Sequence, residues 1–471
     1  MHSPSSRASP DSQLTAGGAS VELREDLPLK ASAGAARARC CAGGPRLILA
    51  AFAALTAAIT LALLTQIYYG DYEVVPHGSV SSSAAACSRA GTDVLKAGGR
   101  ALDAAAAATI CLAVLAPHRT SLDASGSLLY WEYREARTQP PVLYEWGGEA
   151  AAEGARPPRL LAALAALHAQ LGALPWHRVL APALQLASEG FFVSEGLSAA
   201  EAMRVTPGEP ARPPGANITA PALARYLHTL LPNTSEELSA AWGSAALVRR
   251  GSPLAQRAGA WRVLAGGAGA GPALRALAAA LQPPPDSPDD AQRRVLVSLQ
   301  SEAQTDSGDA RGVATGLAAV DQRDTYIALV TGLSVPFGSG PATSAGWVRD
   351  EPAAPLDLAP AIMLDDHVCG TRYVLGAESG AALAQAGAAL AAEGAPGSVE
   401  RARVAVLAGG ALAREAARPP VPAVALPPAP PAPPTPINAS LPYAAVNLVQ
   451  QRADALASHA DSRGGGLASR F

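Results

Sequence analysis

Side chains spaced for obvious chemistry are scarce in this chain. Its eight histidines and five cysteines form no CxxC, HExxH or comparable ligand spacing, so no metal site and no cofactor are expected. Asp365-Asp366-His367 comes nearest to a ligand cluster. Directly ahead of Val368-Cys369-Gly370, however, it reads as a turn between strands. His177, beside Trp176, reads as a surface or packing residue and not as a base. Asp123 and Glu145 stand as isolated carboxylates that nothing in the sequence pairs for acid–base work. The elements around these residues say more.

Leu47 to Tyr69 carries no charge between Arg46 and Asp71. At about 1.5 Å per residue, a helix of this length crosses a hydrocarbon core of about 30 Å. The run lies far from Met1, exceeds a signal-peptide core and is followed by no clear small-residue cleavage site. Arg37, Arg39 and Arg46 precede it while Asp71 and Glu73 follow. The positive-inside bias therefore predicts a single-pass type II protein with its C-terminal domain extracellular or lumenal, and the plasma membrane is the expected location. A buried core helix of a soluble protein is the competing reading. The sequons Asn217-Ile-Thr, Asn233-Thr-Ser and Asn438-Ala-Ser all fall beyond the run and favour glycosylation on the outer side.

Composition narrows the rest. Aromatic residues are 4%, so the core must be built largely from Ala, Leu and Val. A net charge of −3, with no basic block beyond the membrane flank, argues against nucleic-acid binding. Cys40 and Cys41 sit on the cytosolic side, where palmitoylation and a plain thiol pair suit the position equally. Cys87, Cys111 and Cys369 face the oxidising side, where one disulfide and one leftover thiol are expected. Ser88 to Leu115 reads as two helices turned by Gly98-Gly99, and a Cys87–Cys111 bridge would staple that hairpin.

Leu122–Tyr133 and Pro141–Trp146 read as strands, and Leu160–Leu171 and Val179–Ser188 as helices. Residues 283–290 read as a surface linker. Gly312–Val320 and Asp324–Val335 read as a hairpin turned at Asp321-Gln322-Arg323. A strand over Val374–Gly376 and a helix over Gly380–Ala392 follow, with an extended Pro-rich segment at 419–437. Helices, then strand pairs, then helix predict a layered α+β domain.

Three segments together resemble the gamma-glutamyltransferase (glutathione hydrolase) family. They are Cys87-Ser88 through Gly98-Gly99-x-Ala101-x-Asp103 to Cys111 and Pro117-His118; Leu174-Pro175-Trp176 with Ala181-Pro182-Ala183 and Glu189-Gly190-Phe191-Phe192-Val193; and Asp461-Ser462-Arg463-Gly464-Gly465-Gly466. The resemblance implies a four-layer αββα fold of the N-terminal-nucleophile hydrolase type. It also implies a precursor that cuts itself to expose a Thr, whose α-amine then serves its hydroxyl as base. The substrates implied are glutathione and other gamma-glutamyl compounds, with water, amino acids or dipeptides as acceptors, and the two resulting chains would stay together as a heterodimer.

Carried onto this chain, the nucleophile position falls on Ala314 and the candidate nucleophile is Thr315, one place later. Gly316 stands where the family has His, and the Thr that braces the nucleophile falls at Gly332, beside Thr331. The substrate-clamping Arg aligns with Trp146. The segments that hold the substrate's amino group align near Glu351 to Leu356 and at Leu356-Asp357. Ser379 and Gly380 stand at the oxyanion turn. The expected organisation is a tail over 1–46, an anchor over 47–69, and ectodomain regions over 70–314 and 315–471. Two functions stay open: a working gamma-glutamyl hydrolase/transferase using Thr315, and a member that keeps the shell without the chemistry, as a membrane-tethered binding or structural protein.

Overall fold

The structure, a computed structural model, describes residues 44–69, 77–135, 138–147, 156–204, 210–305, 312–365, 370–406, 412–414 and 444–471. Cys40, Cys41, Cys369, Asp366, His367, Asn438 and the segment 419–437 lie outside the described residues. The chain divides into two compact units, Met1–Glu73 and Val74–Phe471. In the first, Gly44–Tyr69 is a single helix, long and apolar enough over Arg46–Thr65 to cross a membrane. Its Leu, Ile and Phe side chains are exposed, which is not how the core helix of a soluble protein behaves.

The second unit stacks two antiparallel sheets between two layers of helices. The first sheet runs in the order Ser469–Arg470, Ser79–Ser82, Val313–Val320, Thr325–Leu333, Ser125–Glu132, Val142–Trp146, Arg249–Gly251. The second runs Ala455–His459, Val446–Arg452, Thr371–Ala377, Ala359–Asp365, Trp261–Ala265, Leu254–Ala258. Strands buried on both faces must be apolar at every position, yet period-two geometry still sends alternate residues to different layers. Leu317, Ala319, Ile327 and Leu329 face the helices Ala85–Lys96, Ala101–Leu115, Arg159–Leu171 and Trp176–Glu189. Ala318, Val320, Tyr326 and Ala328 meet Ile362, Leu364, Val374 and Val449 between the sheets. Ala361, Met363, Tyr373 and Leu375 face the helices Ala270–Leu281, Pro288–Thr305 and Gly380–Glu393. Three apolar layers thus make the four-layer αββα arrangement.

Local chemistry explains several elements. Ala101–Leu115 is apolar on every side because almost all of it is buried, and small Ala side chains let it lie close to the first sheet. Asp103 organises its start: its carboxylate accepts from the Arg100 N–H at 2.8 Å and from the N–H groups of Ala173 and Leu174. Cys87 and Cys111 are bonded, with Cα atoms 5.4 Å apart, tying the two hairpin helices together. The hairpin turn is held by Asp321, whose Oδ1 accepts from the N–H groups of Arg323 and Thr325. The linker expected at 283–290 is shorter than that, because a helix begins at Pro288. Ser287 Oγ accepts from the Asp290 N–H, proline suits the first helical position, and Asp289 and Asp290 complement the positive end of the dipole.

Candidate active site

Thr315 lies near the start of the strand Val313–Val320, in an unbroken register with Thr325–Leu333. Directly opposite Thr315 is Thr331; opposite Thr331 is Gly126; opposite Gly126 is Trp146. Opposed residues of antiparallel strands share a face, so this row projects toward the helix layer that also holds Leu317, Leu329 and Trp146. Ala314 and Gly332 form the neighbouring row and face the other way, Ala314 against Val330, Leu356 and Leu358. The resemblance implies a nucleophile and a brace at 314 and 332, whereas the threonines stand at 315 and 331. The two displacements compensate, which preserves an opposed Thr–Thr pair. A one-residue step also turns both side chains to the opposite face of the sheet.

On that face Thr315 is fully buried, and its hydroxyl donates to Ser83 Oγ at 3.1 Å. Ser83 Oγ in turn donates to Glu378 Oε1 at 3.1 Å. Glu378 also receives Arg119 Nη1 on both oxygens, at 2.9 and 2.8 Å, and the Ala445 N–H at 2.8 Å. Burial pushes the Glu378 carboxyl up from its ordinary value, and the Arg119 guanidinium pulls against that shift. Asn447 Nδ2 donates to Ser83 Oγ at 2.9 Å and to the Gly316 carbonyl at 2.8 Å. The Asn447 amide orientation is set by the Asp461 N–H, which can only donate and meets Oδ1 at 3.1 Å. Burial raises the Asp461 carboxyl, but Arg463 and the N–H groups of Arg463 and Val446 outweigh it and hold the group below the usual carboxylate range. The C-terminal Asp461-Ser462-Arg463 motif thus supports the strand that carries Asn447.

The other candidate positions are occupied by neighbours. Trp146 is buried over Gly126, where an added Cβ would lie 2.2 Å from the indole, and its Nε1 donates to the Ala124 carbonyl. Thr331 bonds to the Ser125 carbonyl at 3.0 Å and to Thr120 Oγ1 at 3.2 Å. Ser379 caps the helix Gly380–Glu393 by accepting from the Ala382 N–H, and the Gly380 N–H donates to Asp357 Oδ1 at 3.0 Å. Gly316 lies against the second sheet, where an added Cβ would come within 2.3 Å of the Gly376 carbonyl oxygen. The two sheets touch backbone to backbone beside Thr315.

Asp123 is not the isolated carboxylate expected. Fully buried, it pairs with Arg156 and Arg159 and accepts from the Asp350 N–H at 3.1 Å. Asp350 accepts from the N–H groups of Ser334 and Ser339 and so shapes the Phe337-Gly338-Ser339 turn. Glu145 lies 3.6 Å from Arg249, and His177 is exposed on its helix. Asn217 and Asn233 are both exposed. Among the described residues no cluster of three His, Cys, Asp or Glu could hold a metal. Ser83, Arg119, Glu378 and Asn447 escaped the sequence reading. The one available signal was an acid, Glu378, inside the Gly376–Gly380 turn.

Residues 87–231 match the family model "Gamma-glutamyltranspeptidase". Over those residues the chain is similar to the gamma-glutamyltransferase family. It is 32% identical to mouse (Mus musculus) "Glutathione hydrolase 7" over 223 residues, which cover 45% of this chain and 32% of that protein. It is 37% identical to "Glutathione hydrolase 6" from Bos taurus over 137 residues, covering 29% and 27%. The match thus spans about a third of the length of the curated relatives. In fold, the chain is similar to the cephalosporin acylase from Bacillus halodurans, with a TM-score of 0.63 at 17% identity, over 84% of this chain and 96% of that one. The layered αββα fold is thus shared with that structure.

Proposed function

We propose that this chain is a membrane-anchored gamma-glutamyl hydrolase/transferase, type II in topology, that works through Thr315. In this reading the precursor cuts between Ala314 and Thr315, and the regions 70–314 and 315–471 stay together as two chains. The Thr315 hydroxyl attacks the gamma-glutamyl carbonyl of glutathione or a related conjugate with its own freed amine as base. Water, an amino acid or a dipeptide then resolves the acyl-enzyme. The N-terminus of the helix behind Ser379 and Gly380 supplies donors to the oxyanion, once the Gly380 N–H exchanges Asp357 for substrate. The reading needs no cofactor.

The observation that carries it is the opposed pair Thr315–Thr331, with the Thr315 hydroxyl hydrogen-bonded to Ser83 at the head of a central strand of this fold. The test is N-terminal sequencing of the chains separated under reducing, denaturing conditions, together with glutathione hydrolysis. A small chain beginning at Thr315, abolished together with the activity in Thr315→Ala, is the expected result. A single uncut, inactive wild-type chain would sink it.

A second reading, a member without the chemistry that acts as a membrane-tethered binding or structural protein, is favoured by two substitutions. Trp146 fills the place of a bidentate Arg with an apolar ring, and Asp357 places a negative charge where a substrate anion would need donors.

A further inference from the structure

The hydroxyl of Thr315 has a second potential base that is present before any cut. Self-cleavage is the step at which a free α-amine does not yet exist, because the Thr315 nitrogen is still in the peptide bond. The side chains around Ser83 have fixed hydrogen-bond directions. Ser83 Oγ accepts from Thr315 Oγ1 at 3.1 Å and from Asn447 Nδ2 at 2.9 Å, which uses both of its lone pairs. Its own proton is therefore directed to Glu378 Oε1, 3.1 Å away. The chain Thr315–Ser83–Glu378 runs from donor to acceptor without a break, and it is buried throughout. Ser83 comes from the loop after the strand Ser79–Ser82, and Glu378 follows the strand Thr371–Ala377 of the other sheet. The relay thus spans the two sheets.

We propose that Ser83 is a catalytic residue of self-cleavage, passing the Thr315 proton to Glu378, which acts as a positioning residue and proton acceptor through it. The proposal rests on the reading of Thr315 as nucleophile given above. In the step, a bond forms between Thr315 Oγ1 and the carbonyl carbon of Ala314 while the hydroxyl proton moves to Ser83 and the Ser83 proton moves to Glu378. The C–N bond between Ala314 and Thr315 then breaks, and the Thr315 nitrogen takes a proton back along the same relay. Water hydrolyses the ester, leaving a carboxylate on Ala314 and a free amine and hydroxyl on Thr315. The groups facing Glu378 are Arg119, the Ala445 N–H, Ser83 and, more distantly, Asp461 and Arg463. Burial raises the carboxyl toward the range in which it can accept a proton, and Asp461 adds to that rise, while Arg119 and Arg463 oppose it.

The test follows the full-length chain made by cell-free translation into microsomes, solubilised and held at pH values from 5.5 to 8.5. The readouts are the fraction of cut chain, the N-terminus of the small chain and the thermal midpoint. Expected are cutting at Thr315 in wild type, none in Thr315→Ala, and at least tenfold slower cutting in Ser83→Ala and Glu378→Gln. The wild-type rate should climb with pH as Glu378 ionises, while the residual rate of Glu378→Gln stays flat. Loss of an architectural role alone would lower the midpoint without flattening that profile. If Glu378→Gln does not fold, Ser83→Ala decides, since it removes one oxygen and leaves the Arg119–Glu378 pair intact. Wild-type cutting at Thr315 with Ser83→Ala cutting equally fast would overturn the relay and leave Thr315 standing. A wild-type chain that stays whole would overturn both.

Discussion

Restoring the family residue at position 316 should damage this protein and not repair it. An added Cβ at Gly316 would sit 2.3 Å from the carbonyl oxygen of Gly376 and 2.7 Å from its carbon. These are backbone atoms of the other sheet and cannot rotate away. Reaching ordinary contact requires the sheets to part by about 1 Å, an overpacking strain that typically costs about 1–3 kcal/mol. The same movement stretches the 2.8 Å bond from Asn447 to the Gly316 carbonyl, worth about 1 kcal/mol. Gly316→Ala should therefore lose roughly 2–4 kcal/mol. At about 2.1 cal/mol/K per residue, the unit Val74–Phe471, about 400 residues, has an unfolding entropy near 0.8 kcal/mol/K, so Tm should fall by about 2–5 °C. Gly316→His, with a whole ring to place, should give no folded protein. Differential scanning of the detergent-solubilised chain measures both. A midpoint for Gly316→Ala within about 1 °C of wild type would refute the claim that the sheets touch here.

Two more outcomes follow from other parts of the molecule. The Cys87–Cys111 bridge closes a loop with a separation of 24 residues, so its removal in Cys87→Ala/Cys111→Ala should cost about 3.5 kcal/mol on the chain-entropy scale; unreduced peptide mapping that links Cys87 to any other cysteine would refute the pairing. His118 is buried with no partner on Nδ1, and burial, then the neighbouring Arg119 charge, lowers its pKa to about 3. A His depressed below its unfolded value of about 6.5 is neutral when folded, so between these values the unfolded state binds more protons and stability falls as pH falls. Wild type should lose up to about 1.4 kcal/mol per pH unit from this one group below pH 6.5, and His118→Asn should show a shallower acid limb by urea denaturation at each pH; equal slopes would show that His118 charges without penalty.

Local sequence fixed what local physics controls. An uncharged run after arginines predicts a spanning helix, and the structure forms one helix there, long and apolar enough to cross a membrane. The Gly98-Gly99 hairpin and its two cysteines, and the strand pair turned at Asp321, follow from turn chemistry and apolar runs that each need only a few neighbouring residues. The misjudged start of Pro288–Thr305 belongs to the same level, since Ser-Pro-Asp-Asp opens a helix as readily as it fills a linker. The site is different. Whether position 315 or position 314 faces the helix layer depends on register, and an Ala-rich strand buried on both faces carries no polar alternation to reveal it. The partners of Thr315 came from afar: Ser83 lies 232 residues away in sequence, and Asn447 reaches the neighbouring Gly316 carbonyl across 131. Asp123 looked isolated for the same reason, because Arg156, Arg159 and Asp350 reach it only through the fold. Sequence determined which residue types were available and which elements would carry them. Only the packing of two sheets against each other decided which of those residues meet, because buried polar groups take their partners from whatever the tertiary structure places within hydrogen-bond reach.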